Sequence, residues 1–212
     1  MTNFIPIFPL GIVVYPGEDL NLHIFEERYK QLINECFADN KAFGIPTVID
    51  NKLMEYGTLV KVTEIYKVYD DGKMDIRTKG LDVFRMLEVI KDVPDKLYSG
   101  AIVNYPENSI YSINPNTIIK IIRQVRELHK LLNIDKQFQK ADGELTAYDI
   151  AHHAGLSLEE EFELLKLTRE DQRQEFLKRH LRKILHIVAG IDALKEKIKL
   201  NGHFRNLKGF EL

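Results

Sequence analysis

The chain has 212 residues, with 30 Lys and Arg against 32 Asp and Glu, for a formal net charge of −2. That near-balance argues against a general nucleic-acid binder, which carries a clear excess of base, and no stretch approaches the ~20 apolar residues of a membrane span. A 44% apolar content suits a packed globular protein, and a lone cysteine, Cys36, excludes a disulfide framework and fits a reducing cytoplasm. Met1 to Pro6 offers neither a basic n-region nor an unbroken apolar run, so no secretory signal is expected.

In chain order, the first periodic segment is helical. Phe25, Tyr29, Leu32, Ile33, Cys36 and Phe37 share one helix face, and Glu26 and Glu27 fall in the first turn, where the helix dipole favours negative charge. Cys36 lies on that stripe and reads as a small core residue rather than a nucleophile. Strand patterns follow. Leu59 to Glu64 alternates and is rich in β-branched residues, Asp70-Asp71-Gly72 supplies a turn, and Met74 to Thr78 returns. Gly80 and Asp82 punctuate before Val83 to Ile90, and Tyr98 to Tyr105 is the last strand candidate, with Pro94 and Pro106 marking loop around it. Many short strands with turns between them predict a closed or half-closed antiparallel barrel.

The pattern then becomes helical. Asn114-Pro115 opens a helix whose wide apolar face runs from Ile118 to Leu132. Thr146 caps a short helix, Ala147 to Ala154, ended by Gly155; Ser157 and Glu160 form a capping box for a helix through Leu167. Thr168 and Asp171 repeat that device for a long helix reaching Leu200, before Asn201-Gly202 stops it. The expected fold is α+β: a β-barrel with one inserted helix over residues 1–112, then an α-helical bundle over 113–212. The first half carries the acidic excess, the second a basic excess and six of the seven histidines.

Enzyme signatures are missing from the sequence. It has no phosphate-cradling Gly-rich loop, no dinucleotide fingerprint and no Gly-x-Ser-x-Gly elbow, and Ser157 is explained as a cap. His152 and His153 are adjacent and diverge by about 100° on a helix, and His180 and His186 lie on different faces, so no metal site is expected. The paired acids Glu26-Glu27, Asp70-Asp71 and Glu159-Glu160-Glu161 sit at helix starts and a turn. No catalytic residue, metal or cofactor is expected.

Residues 147–165 have helix-turn-helix spacing, which makes a DNA-binding regulator the alternative reading. Its second helix would lead with Glu159, Glu160, Glu161 and Glu163 toward phosphates, which opposes docking. The basic cluster Arg179, Arg182 and Lys183 reads as a solvated helix face.

The most specific string is Ile5-Pro6-Ile7-Phe8-Pro9-Leu10-Gly11, then Val13-Val14-Tyr15-Pro16-Gly17, then Leu22 to Tyr29 with Phe25-Glu26-Glu27-Arg28-Tyr29. It resembles the N-terminal substrate-binding domain of the ATP-dependent Lon protease, and the likeness continues at Gly57-Thr58 and Lys79-Gly80. Asp82 stands where that family commonly has Arg, with Phe84-Arg85 displaced beyond it. The resemblance implies a PUA-like barrel followed by a helical bundle. With no nucleotide-binding loop and no Ser–Lys dyad in the sequence, it also implies a stand-alone module that recognises without proteolysis. Expected partners are unfolded or degron-bearing client polypeptides, with a protease or chaperone as a further partner; no nucleic acid and no membrane are expected, and the chain is expected as a monomer or weak homodimer. Phe8, Leu10, Ile12 and Tyr15 hold more apolar surface than one face of a strand can bury; core and hairpin packing is the plain reading, and a client-binding patch is the sharper one taken forward. Arg28 is included with them, beside its simpler role of pairing with Glu26 or Glu27.

Overall fold

The computed structural model describes residues 2–109 and 115–203. Six strands form one antiparallel sheet: β1 (Thr2–Pro6), β2 (Asp19–Ile24), β3 (Phe43–Ile49), β4 (Lys52–Val68), β5 (Met74–Ile90) and β6 (Gly100–Asn104). Their order is β1-β6-β5-β4-β3, with β2 paired to the first half of β5. The sheet closes through the proline-rich segment after β1. There the Phe8 N–H donates to the Gly44 carbonyl at 2.8 Å, and the Val48 N–H to the Leu10 carbonyl at 2.8 Å, both parallel to β3. Pro6 and Pro9 donate no hydrogen bond, so toward β3 this segment donates from Phe8 and Leu10, while the Ile7 N–H turns the other way to the Ser99 carbonyl at 3.0 Å.

The two punctuated runs around Gly80 are one continuous strand, β5, rather than two. The ladder steps from Leu59↔Asp82 to Val60↔Gly80, so Leu81 is an extra residue that bulges outward while pairing resumes on either side. β2 and β3 are not prominent in the sequence. Leu20, Leu22 and Ile24 alternate over only six residues, and Pro46 interrupts β3 beside a register irregularity. Gly57 faces Pro46 across that ladder; a Cβ there would sit 2.3 Å from the Ile45 carbonyl oxygen, so the strands can approach this closely only over glycine.

Helix α1 (Glu27–Ala38) buries Tyr29, Leu32, Ile33 and Cys36 against the barrel. Phe25 and Phe37, expected on the same face, are exposed. Phe25 precedes the helix, because Glu26 is its extended N-cap residue, and Phe37 lies about 100° round from Cys36. Burial raises the Cys36 thiol pKa to about 11, with the Glu35 charge adding, so the thiol stays protonated.

The helical half comprises α2 (Pro115–Leu132), a 3₁₀ turn (Asp142–Glu144), α3 (Ala147–Ala151), α4 (Leu158–Lys166) and α5 (Glu170–His203). The expected barrel limit at residue 112 and the helix start at Asn114 lie outside the described residues. α3 is three residues shorter than expected; turns carry the chain on to Gly155, whose φ is +71°. The Ser157–Glu160 box forms, with the Ser157 N–H donating to Glu160 Oε2 at 3.0 Å. The second expected box does not, since Asp171 engages the Arg169 guanidinium and α5 opens at Glu170. α5 runs through Asn201 and Gly202 rather than stopping before them.

Barrel and helices share a core. Val14 points into the barrel with Phe43, Ile45 and Ile76, while its neighbours Val13 and Tyr15 join Ile49 and Val83 in a cluster completed by Ile121, Val125, Ile150, Phe162 and Leu177. Successive side chains of an extended segment point oppositely, so this one segment serves two cores. That accounts for Tyr15 in the apolar excess noted in the sequence, while Ile12 stays at the surface.

Candidate functional site

The site is built where the Tyr15–Glu18 turn meets α3 and α4. Gly17 adopts φ +86°, and its N–H donates to the Gly80 carbonyl at 2.9 Å, while the Gly80 N–H donates to the Glu18 carbonyl at 2.8 Å. A Cβ on Gly80 would lie 2.3 Å from the Tyr15 carbonyl oxygen, so glycine is what lets the turn lie flat on β5. The Tyr15 N–H donates to Glu18 Oε2 at 2.8 Å, which aims that carboxylate at the helices.

Tyr148 and His152 come from α3 and its C-cap and meet Tyr15 ring to ring, with centroids 5.1 and 4.9 Å away. The Tyr15 hydroxyl donates to the Glu161 carbonyl at 3.1 Å. Burial pushes its phenol pKa up, and the charges of Glu161 and Glu18 push it further, so Tyr15 remains neutral. His152 is held between two carboxylates, Nδ1 at 2.7 Å from Glu161 Oε1 and Nε2 at 3.1 Å from Glu18 Oε2. Burial opposes charge on this ring, but the bonds to Glu161 and Glu18 outweigh it and raise the pKa to about 9. Both ring nitrogens are occupied, so His152 ties barrel to bundle and has no free position for proton exchange with a ligand.

Behind this layer lies a buried clamp. Arg173 and Glu170 are fully buried and paired at 3.0 Å. The Arg173 guanidinium lies 4.3 Å from the Tyr148 ring centroid and donates to the Asn108 side chain and to the Ser109 and Leu167 carbonyls, each at 2.8 Å. Glu170 accepts the Ala147 N–H at 2.8 Å, at the start of α3. Exit of the chain from the barrel, start of α3 and start of α5 are thus fixed by one ion pair.

Above Tyr15 and Tyr148 a cleft of about 240 Å³ opens between Gly17 and Asp19 on the barrel and Gln137 and Lys140 on the loop after α2. Lys140 pairs with Asp149 at 2.6 Å and Lys79 with Asp19 at 2.9 Å, so the rim charges are largely neutralised. His153 also borders the cleft. Burial, then the charges of Lys136, His129 and His152, lower its pKa to about 4, and its Nδ1 has no hydrogen-bond partner.

Of the residues singled out in the sequence, Tyr15 forms the cleft floor. Phe8 is buried under α1, stacked on Tyr29 with centroids 4.0 Å apart. Leu10 is partly buried against the same core and Ile12 is 37% exposed, so no continuous surface patch joins all four. Arg28 is exposed, paired with Glu26 at 2.7 Å and lying over the Tyr29 ring at 4.6 Å. Glu18, Tyr148, His152, Glu170 and Arg173 were not picked out as a site. Tyr148 and His152 stand four apart on one helix face, the only local sign of their joint role. In the helix-turn-helix segment, α4 turns Phe162, Leu164 and Leu165 inward, while Glu160, Glu161 and Glu163 engage His180, His152 and Lys166. No group of three metal-ligating side chains and no helix long and apolar enough to cross a membrane occur among the described residues.

Comparison with known proteins decides the family. Residues 5–183 match the model of the ATP-dependent protease La (LON) substrate-binding domain, spanning the barrel, the cleft and most of the helical half. The chain belongs to the Lon substrate-binding domain family. A Lon N-terminal domain protein from Xanthomonas campestris is similar in structure, with 25% identity and a TM-score of 0.64, covering 84% of this chain and 98% of that one. The N-terminal domain of Mycobacterium avium complex Lon protease has the same fold at 12% identity and a TM-score of 0.64, covering 85% and 98%. The matched Lon model is that of a non-catalytic, substrate-recognising domain, and its α+β architecture of antiparallel sheet plus helices is the one observed here.

Proposed function

We propose that this Lon-type domain is a non-catalytic module that binds unfolded or degron-bearing polypeptides at the barrel–bundle junction. The observation that carries the reading is the substrate-binding-domain match, which runs unbroken across both halves and the cleft between them. In this reading residues 1–112 and 113–212 form one recognition unit. Tyr15 shapes the floor, and Leu10 and Ile12, the part of the closing segment that solvent reaches, add apolar contact; Phe8 supports α1 from beneath, and Arg28 stays on that helix's own surface over Tyr29.

Equilibrium binding of the purified protein to a fluorescently labelled, permanently unfolded polypeptide tests this, with random duplex DNA as the parallel ligand. Saturable binding to the polypeptide alone is expected. Silence toward the polypeptide, or binding to DNA alone that weakens as salt rises, would overturn it.

A further inference from the structure

β2 pairs with β5 from Asp19↔Lys79 to Ile24↔Met74 without a single register shift. Among the described residues its other side has no backbone partner, and Asp19, Asn21 and His23 are exposed. An edge strand directs alternate N–H and C=O groups to solvent, where they match the backbone of another extended chain. Six residues span about 20 Å at ~3.3 Å each, enough to pair with a segment of similar length.

The other open stretch of the sheet differs. β3 accompanies β4 only as far as Val60, but the exposed remainder of β4 carries shifts between Val62 and Glu64 and between Ile65 and Lys67. Bulges twist a strand and break the even spacing that an added strand needs. β1 ends in Pro6, and the segment after it is spent on closing the barrel against β3. β2 has no proline, no bulge and no Lys or Arg. Its outward polar side chains already have partners, Asp19 in Lys79 at 2.9 Å and His23 in Asp75 at 2.6 Å, so they do not compete for the backbone of an incoming chain. Asp19 is also part of the cleft rim, which makes edge and cleft one continuous surface. At the opposite end Phe25 is 58% exposed, its ring 6.2 Å from His23.

We propose that an extended segment of an unfolded polypeptide binds by adding a strand to β2, with its leading residues entering the junction cleft. The proposal rests on the polypeptide-recognition reading and specifies its chemistry. Main-chain hydrogen bonds supply affinity with little regard to sequence, and side chains matter at alternate positions.

The test uses the full chain and a short binding peptide cut from the unfolded polypeptide probe, made unmodified and in two forms N-methylated at odd or at even positions. In an added strand one set of N–H groups faces β2 and the other faces solvent. One methylated form should therefore lose at least tenfold in affinity while the other binds like the parent, and hydrogen exchange of β2 amides should slow several-fold with the parent peptide. Equal affinity of all three forms, or unchanged β2 exchange while the parent binds, would overturn strand addition and leave polypeptide recognition standing. Failure of the unmodified polypeptide to bind would overturn both.

Discussion

The barrel interior and the barrel–bundle seam are both buried, but by different means. Inside the barrel, Phe43, Phe84 and Ile76 are fully buried among apolar neighbours, and the buried polar side chains there are uncharged threonines such as Thr58 and Thr78, whose hydroxyls donate to backbone carbonyls. At the seam, an apolar cluster lies beside a charged clamp, Arg173–Glu170, and a His152 held between Glu18 and Glu161. Apolar packing is insensitive to pH and tolerant of direction; charged groups hold one geometry and respond to protonation. The difference places the adjustable interactions beside the cleft and the fixed ones beneath it, an arrangement suited to a rigid platform with a responsive rim.

The largest effects come from cutting each region at its most buried side chain. Phe84→Ala is expected to cost about 3–5 kcal/mol through the cavity it leaves. Arg173→Ala is expected to cost about as much, because Glu170 is left charged and unpaired in the interior. Urea unfolding measures both. The regions separate in the double replacement Glu170→Leu with Arg173→Leu. A simple ion pair would recover most of the loss when both charges go. A clamp would not, since the Ser109 and Leu167 carbonyls lose their donor in any case. Full recovery would reduce the seam to apolar packing and erase the contrast with the barrel.

That contrast was only half legible in the sequence. The barrel-then-helices order, the α1 stripe, the Asp70–Gly72 turn and the Ser157–Glu160 box are local, set by periodicity and capping within a few residues. β3 was obscured by Pro46, and β5 was split at Gly80, because a bulge and a glycine contact with the Tyr15 carbonyl are properties of neighbouring strands. The site is less local still. Glu18 and His152 are 134 residues apart in sequence, and Arg173 reaches Asn108 across 65. Tyr15 could be singled out from its segment, but its partners could not, since Tyr148 and His152 lie on a helix that also reads as ordinary bundle.

A smaller effect tests whether the seam alone responds to pH. The His152 pKa is about 9 in the folded protein against 6.5 for a free imidazole. A raised folded-state pKa gives stabilisation that is complete below about 6.5 and fades as pH rises toward 9. Allowing for its partial exposure, the loss across that window is about 1–3 kcal/mol. His152→Gln removes the titrating group facing Glu18 and Glu161, so its unfolding free energy should be flatter between pH 6.5 and 9 than that of the parent. Identical pH profiles would show that the two carboxylates do not sense the ring, and the responsive rim would lose its basis.

The smallest expected effect concerns the two aromatic rings that helical spacing assigned to the core. Phe25 and Phe37 stand outside it, 58% and 46% exposed, one just before α1 and one near its end, and the buried face of that helix is complete without them. Phe25→Ser and Phe37→Ser should each change the urea midpoint by less than about 0.5 kcal/mol equivalent, as exposed substitutions do. Phe8→Ala, from the ring stacked under the same helix, should cost several-fold more. If either serine variant instead lost more than about 1 kcal/mol, that ring would have to be covered in solution. Sedimentation of the parent at rising concentration would then show whether a second copy covers it. Stability that is independent of concentration would leave both rings free, and Phe25 available at the open end of β2.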